Sequence, residues 1–193
     1  MHPHWHSATL EVQHRLISLY LLSLAPNSAA SPTSPTSTFQ SELRYTHSPH
    51  DVAAVLRWGL RHLKLDGASF GKESGDWTWY NTFVSAERTS SFPSDAFTKH
   101  LVPQLPTAHT ELLLATLDVI SSLSAHGEAN GCSGSRLSKF FGLWLLTAEP
   151  PREGDDWYTF YDRWERAGRI LEHLFLARIR FALIISPCDL TQP

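Results

Sequence analysis

The sequence predicts an all-α fold, and three observations carry that prediction. No stretch sustains apolar–polar alternation, so nothing reads as a half-buried strand. Apolar residues instead recur at helical spacing in one segment after another. Ser48-Pro49 adds a helix start: Ser as the N-cap, and Pro at the first helical position, where its missing N–H costs nothing.

From that start, Asp51 lies in the first turn and suits the helix dipole. Val52, Val55, Leu56, Gly59, Leu60 and Leu63 then fall on one arc at ~100° per residue. Arg57 and Arg61, four apart, are expected to point together away from that arc. A glycine-rich loop, Asp66 to Gly75, precedes an aromatic segment over Trp77 to Phe83 that reads as a short helix. A second break surrounds Pro93. The helix opening after Pro106 is apolar nearly all round (Leu112, Leu113, Leu114, Leu117, Val119, Ile120, Leu123), which predicts a central position in the bundle. His126 to Gly134 interrupts it with three glycines and carries Asn130. Leu137, Phe140, Phe141, Trp144 and Leu145 form the stripe of the next helix. A final helix opens at Asp155 or Asp156, with Trp157, Phe160, Tyr161, Trp164, Leu171, Leu174 and Phe175 expected on its inner face.

Ahead of all this, Ala25 to Thr38 is rich in Ser, Pro and Thr and is expected to be a flexible linker. The expected organisation is a His-rich start with a short helix over 1–25, a linker over 26–47, a helical domain over 48–180 and a tail over 181–193.

A chain of 193 residues suits one domain with length left for tails. Hydrophobic residues at 42% and charged residues at 18% are enough for a real core. The net charge of -3, with no run of five like charges, argues against nucleic acid as a partner. Seven Trp and ten Phe are many for this length; most belong in a core, and some can anchor an interface. The two cysteines, Cys132 and Cys188, have no metal-ligand spacing, and no Asn-x-Ser/Thr acceptor occurs. Both points favour a reducing, intracellular setting. Arg15 followed by LISLYLLSLA has the length of a signal-peptide core, but its leading region is rich in His rather than Lys or Arg. A secretory signal is the lesser reading there, beside a short core helix or a gene-model artefact. Nothing reaches the ~18 apolar residues of a membrane span.

Few residues suggest chemistry. Gly67 to Lys72 superficially matches a phosphate loop, but it has one residue too few between its glycines, lacks Ser/Thr after Lys and follows a helix. His2, His4 and His6 lack the fixed second shell of a structural metal site. Ser133 lacks the strand-to-helix elbow of a hydrolase nucleophile, and Cys132 has only His126 as a local base. No cofactor and no metal are expected. What remains is a surface of Arg57, Arg61 and Asn130. Taken alone, those residues read as a wet helix face and a loop cap.

At the same residues the chain resembles a RhoGAP domain, the helical module that stimulates GTP hydrolysis by Rho-family GTPases. His50-Asp51-Val52-Ala53 through Leu56-Arg57-x-x-Leu60-Arg61-His62-Leu63 is similar to that family's arginine-bearing helix. Leu105-Pro106 resembles the opening of its central helix. Asn130-Gly-Cys through Leu137, then Phe141-Gly142-x-x-Leu145-Leu146, resembles its Asn-Lys-Met…Phe-Gly-Pro-x-Leu-Leu signature in the same spacing. These matches cover about half the chain. SSLSAHGEANGCSGSRLSK, with Trp164-Glu-Arg-Ala-Gly168-Arg-x-Leu-Glu-His-Leu-Phe175, resembles more closely the fungal RhoGAP-like bud-emergence and meiotically up-regulated proteins of cell polarity.

The resemblance implies a RhoGAP-like helical bundle that binds a Rho-family small GTPase. Arg57 and Arg61 would meet its switch regions and Asn130 its nucleotide side; other polarity proteins are possible partners. It also implies a cytoplasmic protein acting at sites of polarised growth. The chain departs from the pattern where an arginine finger is expected. Upstream of Pro49 the only arginines are Arg15 and Arg44, and neither lies in a glycine-flanked loop. A finger is worth ~10³ to 10⁵ in rate, roughly 4 to 7 kcal/mol. His62, Lys64 and Leu143 also replace the family's Glu, Pro and Pro. The expectation is therefore a pseudo-GAP or scaffold. The alternatives are an activator using Arg44 as its catalytic arginine, or a helical interaction module that uses exposed aromatics such as Trp77 and Trp79. The ends, MHPHWH and FALIISPCDLTQP, suggest a shortened or mis-spliced gene model.

Overall fold

The computed structural model describes residues 9–24, 35–46, 48–62, 70, 77–146 and 156–185, with side chains as far as Phe181. Among these residues every regular element is a helix, as the periodicity predicts. His2, His4, His6, the glycine loop apart from Phe70, and Cys188 lie outside the described residues. The chain divides into two compact units, Met1–His62 and Leu63–Pro193.

The first unit holds α1 (Leu10–Ser23), α2 (Pro35–Tyr45) and α3 (Pro49–His62), with α1 packed against both others. Leu16 of α1 is fully buried. The linker expected over 26–47 is corrected from Pro35 onward, because α2 is a helix. Pro35 costs no hydrogen bond at a helix start, and Phe39 and Leu43, four apart, are half-buried. Phe39 meets Tyr20 of α1 with ring centroids 5.5 Å apart, and Glu42 pairs with Arg15 at 3.0 Å. Tertiary packing of this kind overrides the poor helix propensity of Ser and Thr.

Helix α3 begins at Pro49 as predicted, but its inner face is rotated from the expected arc. Val55 and Leu60 are buried, whereas Val52 and Leu56 are 38% and 39% exposed. Asp51 is buried instead. Its Oδ1 accepts the Thr9 N–H at 2.7 Å, placing a carboxylate at the start of α1, where the helix dipole favours negative charge.

The second unit holds α4 (Thr78–Thr89), α5 (Thr107–Ala125), α6 (Gly127–Asn130), α7 (Gly134–Leu146) and α8 (Trp157–Ile185). The aromatic segment expected over 77–83 thus continues two further turns. It buries Trp79, Phe83 and Glu87, spaced four apart on one face. The break at Pro93 holds: Ser91 and Phe92 take φ of 60° and 56°, and the Phe92 N–H reaches Glu87 O at 2.8 Å. A wide helical turn, Phe97–Leu101, then buries Phe97 and Leu101 ahead of α5.

Helix α5 is not buried all round. His109, Leu113, Thr116, Leu117 and Ile120 face inward, while Val119 and Leu123 are exposed. It is a one-sided helix, and the leucine excess concealed its polar edge of Glu111, Asp118 and the serines.

The core of the unit is the antiparallel pair α7–α8. Leu137, Phe141, Trp144 and Leu145 are buried, as their spacing predicts, against Ala167, Leu171, Leu174 and Phe175. The two backbones approach closely. A Cβ at Gly142 would stand 2.5 Å from Ala167 O, one at Gly168 3.0 Å from Lys139 Cα, and one at Gly134 2.5 Å from the Phe175 ring. The inner face expected for α8 is corrected at its start, where Trp157 and Tyr161 are exposed. They occupy the first turns of α8, which extend past the end of its antiparallel partner α7. Asp156 caps the helix: its Oδ1 accepts the Thr159 N–H at 2.8 Å. Hydrogen bonds from the Thr159 side chain and backbone hold its carboxyl below the ordinary value of 3.8.

Candidate functional site

Arg57 and Arg61 stand one turn apart on α3, Arg57 half-buried and Arg61 exposed. Between and beyond them, Trp58 stacks on His62 at 4.8 Å, and His62 Nδ1 lies 2.7 Å from Trp58 O. Arg44 is exposed in the last turn of α2. These three arginines belong to the first unit, and Asn130 belongs to the second.

Asn130 closes the connector between α5 and α7. Its Nδ2 donates to Leu123 O at 2.8 Å, and its Oδ1 accepts the Cys132 N–H at 2.7 Å. Gly131 follows with φ 68°, a left-handed conformation that favours glycine. The Arg136 guanidinium then reaches back to Gly131 O at 3.3 Å, and the Arg136 N–H meets Ser133 Oγ at 3.3 Å. The carboxamide is thus used to build the loop, and what the connector presents outward is His126, Glu128 and Ser133, with Arg136 of α7 beside them.

The described residues of the second unit form grooves along α4 and beside α7. One, of about 790 Å³, runs along α4 and is lined by Thr78, Asn81, Thr82, Ser85, Thr89 and His100. The other, of about 500 Å³, lies between α7 and α8 and is lined by Ser133, Ser135, Arg136, Lys139, Phe140 and Trp164. Among the described residues no group of His, Cys, Asp and Glu is arranged to hold a metal.

Sequence reasoning missed an ion cluster between α4 and α8. Glu87 is fully buried; its Oε2 lies 2.8 Å from His173 Nε2, and its Oε1 accepts from Arg180. His173 Nδ1 is 3.0 Å from the Tyr80 hydroxyl. Burial first, then the Glu87 charge, push the Tyr80 phenol above its ordinary value of 10.0, against the pull of Arg88 and Arg166. The phenol therefore stays protonated through neutral pH. When it donates to Nδ1, the imidazole proton sits at Nε2 and points at Glu87. The available signal was Glu87 itself, an acid in register with Trp79 and Phe83 on a buried stripe. Trp79 is core and Trp77 is half-buried, so they do not form the exposed aromatic patch expected of an interaction module. Among the described residues, Trp157, Tyr158 and Tyr161 at the start of α8 are exposed together, and Tyr45 and Phe92 are exposed singly elsewhere.

No curated protein and no solved structure matches the chain. The family model described as the meiotically up-regulated protein Msb1/Mug8 domain matches residues 71–185, more than half of it. That range runs from just before α4 to the last residue of α8 and takes in the ion cluster, the Asn130 connector and the glycine-lined α7–α8 contact. It agrees with the meiotically up-regulated part of the resemblance read in the sequence. The chain belongs to the Msb1/Mug8 family.

Proposed function

We propose that this protein is a docking module for a Rho-type small GTPase, acting in cell polarity as a pseudo-GAP or scaffold rather than as a strong activator. Its place of action in this reading is the cytoplasm, at sites of polarised growth. The observation that supports the reading is the arginine pair on α3: Arg61 is exposed and Arg57 half-buried one turn before it, at the positions where the sequence resembles the RhoGAP arginine-bearing helix. Membership of a family described as meiotically up-regulated is compatible with this reading. Asn130 supports the docking loop by shaping it. Among the described residues, no helix is long and apolar enough to cross a membrane.

Capture of purified Rho proteins tests the reading. The full chain should retain the GTP-loaded form in preference to the GDP-loaded form. Arg57→Glu with Arg61→Glu should lower capture by at least about tenfold while the circular dichroism stays helical. Absence of nucleotide-dependent capture would remove the proposal. A second reading, catalysis through Arg44, predicts faster single-turnover GTP hydrolysis that Arg44→Ala abolishes. A helical interaction module remains the third reading, carried by the exposed aromatics at the start of α8 rather than by Trp77 and Trp79.

A further inference from the structure

The groove between α7 and α8 is built from two chemistries. Arg136 and Lys139, three apart and both exposed, share one edge of α7. Phe140 and Trp164, both half-buried, provide an aromatic wall. No carboxylate stands among the described lining residues. From Trp164 the aromatic surface continues along α8. Tyr161 meets Trp164 edge-on at 5.3 Å, and Trp157 lies against Phe160 at 5.5 Å. Trp157 and Tyr158 are 76% and 78% exposed. Large aromatics left in water on one helix face mark an interaction site, and such residues dominate binding energy when covered.

We propose that this groove docks an acidic peptide segment of a partner protein. An apolar side chain of the segment lies against Phe140 and Trp164, and its carboxylates meet Arg136 and Lys139. Charge complementarity selects this occupant. A nucleic acid backbone would need more cations than the two this groove presents. The groove belongs to the second unit, Arg57 and Arg61 to the first, and the proposal does not depend on the GTPase reading.

Fluorescence anisotropy on the full chain tests the proposal, with a fluorescein-labelled peptide of alternating Glu and Leu as the probe. A Lys/Leu peptide of equal length is the control. The Glu/Leu peptide should bind saturably, with a dissociation constant on the order of 10–100 µM, and weaken several-fold as salt rises. Lys139→Glu, an exposed charge reversal, should weaken binding about tenfold with unchanged circular dichroism. Phe140→Ala should do the same through lost apolar contact, and Arg57→Glu with Arg61→Glu should leave binding as it was. Absence of saturable binding, equal binding of the Lys/Leu peptide, or unaltered affinity in Lys139→Glu would overturn the proposal.

Discussion

Glu87 is the residue whose environment departs furthest from its chemistry. Its side chain is 0% exposed, whereas His173 and Arg180 keep 26% and 34% of theirs in water. That asymmetry decides which loss matters. Removing Arg180 leaves a carboxylate buried beside a single imidazole, and desolvation of that charge is no longer offset. Neutralising Glu87 leaves two groups that water reaches. Arg180→Met is therefore expected to cost about 2–4 kcal/mol, and Glu87→Gln only about 1–2 kcal/mol. Urea denaturation of both variants checks the order; a larger loss in Glu87→Gln would show that the acid, not its guanidinium partner, limits the cluster. The register of Glu87 with Trp79 and Phe83 was legible locally, but its partners were not. Glu87 lies 86 and 93 positions from its partners, and nothing in AERTSS separates a clasped acid from a wet one.

At the scale of elements, starts and stripes were legible and burial was less so. Ser48-Pro49 announced α3, and the Leu137–Leu145 spacing announced α7, because caps and periodicity are local signals. Helix α2 escaped notice because Pro, Ser and Thr dominate its first turn, while what stabilises it is Phe39 and Glu42 meeting α1. The outward faces of α5 and of the first turns of α8 were misjudged for a related reason. Apolar content does not say where a helix outruns its neighbour. Two glycines make the packing argument testable. Gly142→Ala should cost about 3 kcal/mol, since its Cβ would meet the Ala167 carbonyl at 2.5 Å, backbone that cannot move without parting the helices. Gly59→Ala in α3 has nothing within 4 Å and should stabilise by about 0.5–1 kcal/mol. Thermal unfolding separates these opposite signs.

At the scale of the molecule, the chain is two compact units where one domain with tails was expected, and the family match falls within the second. The second unit contains its own core, its ion cluster and its closed connector. A fragment of residues 63–193 is therefore expected to be helical and to unfold in one cooperative transition, read by circular dichroism at 222 nm. A broad, non-cooperative melt would show that residues 1–62 are needed to complete that core. Of the candidate site, Arg57, Arg61 and Asn130 were legible as residue types in a pattern. That Asn130 would be consumed in shaping its own loop was not, because its two partners are backbone groups whose position only the fold supplies.

Helix α8 spans 29 residues, roughly 43 Å at ~1.5 Å per residue. Its aromatic surface ends near Trp164 and its ionic grip ends at Arg180, sixteen residues on, or roughly 24 Å. Between those ends the shaft is seated on α7, where Gly142 and Gly168 bring the two backbones together and the Phe175 ring covers Gly134. A weakened Glu87 anchor therefore leaves the aromatic end held by its glycine contacts rather than free.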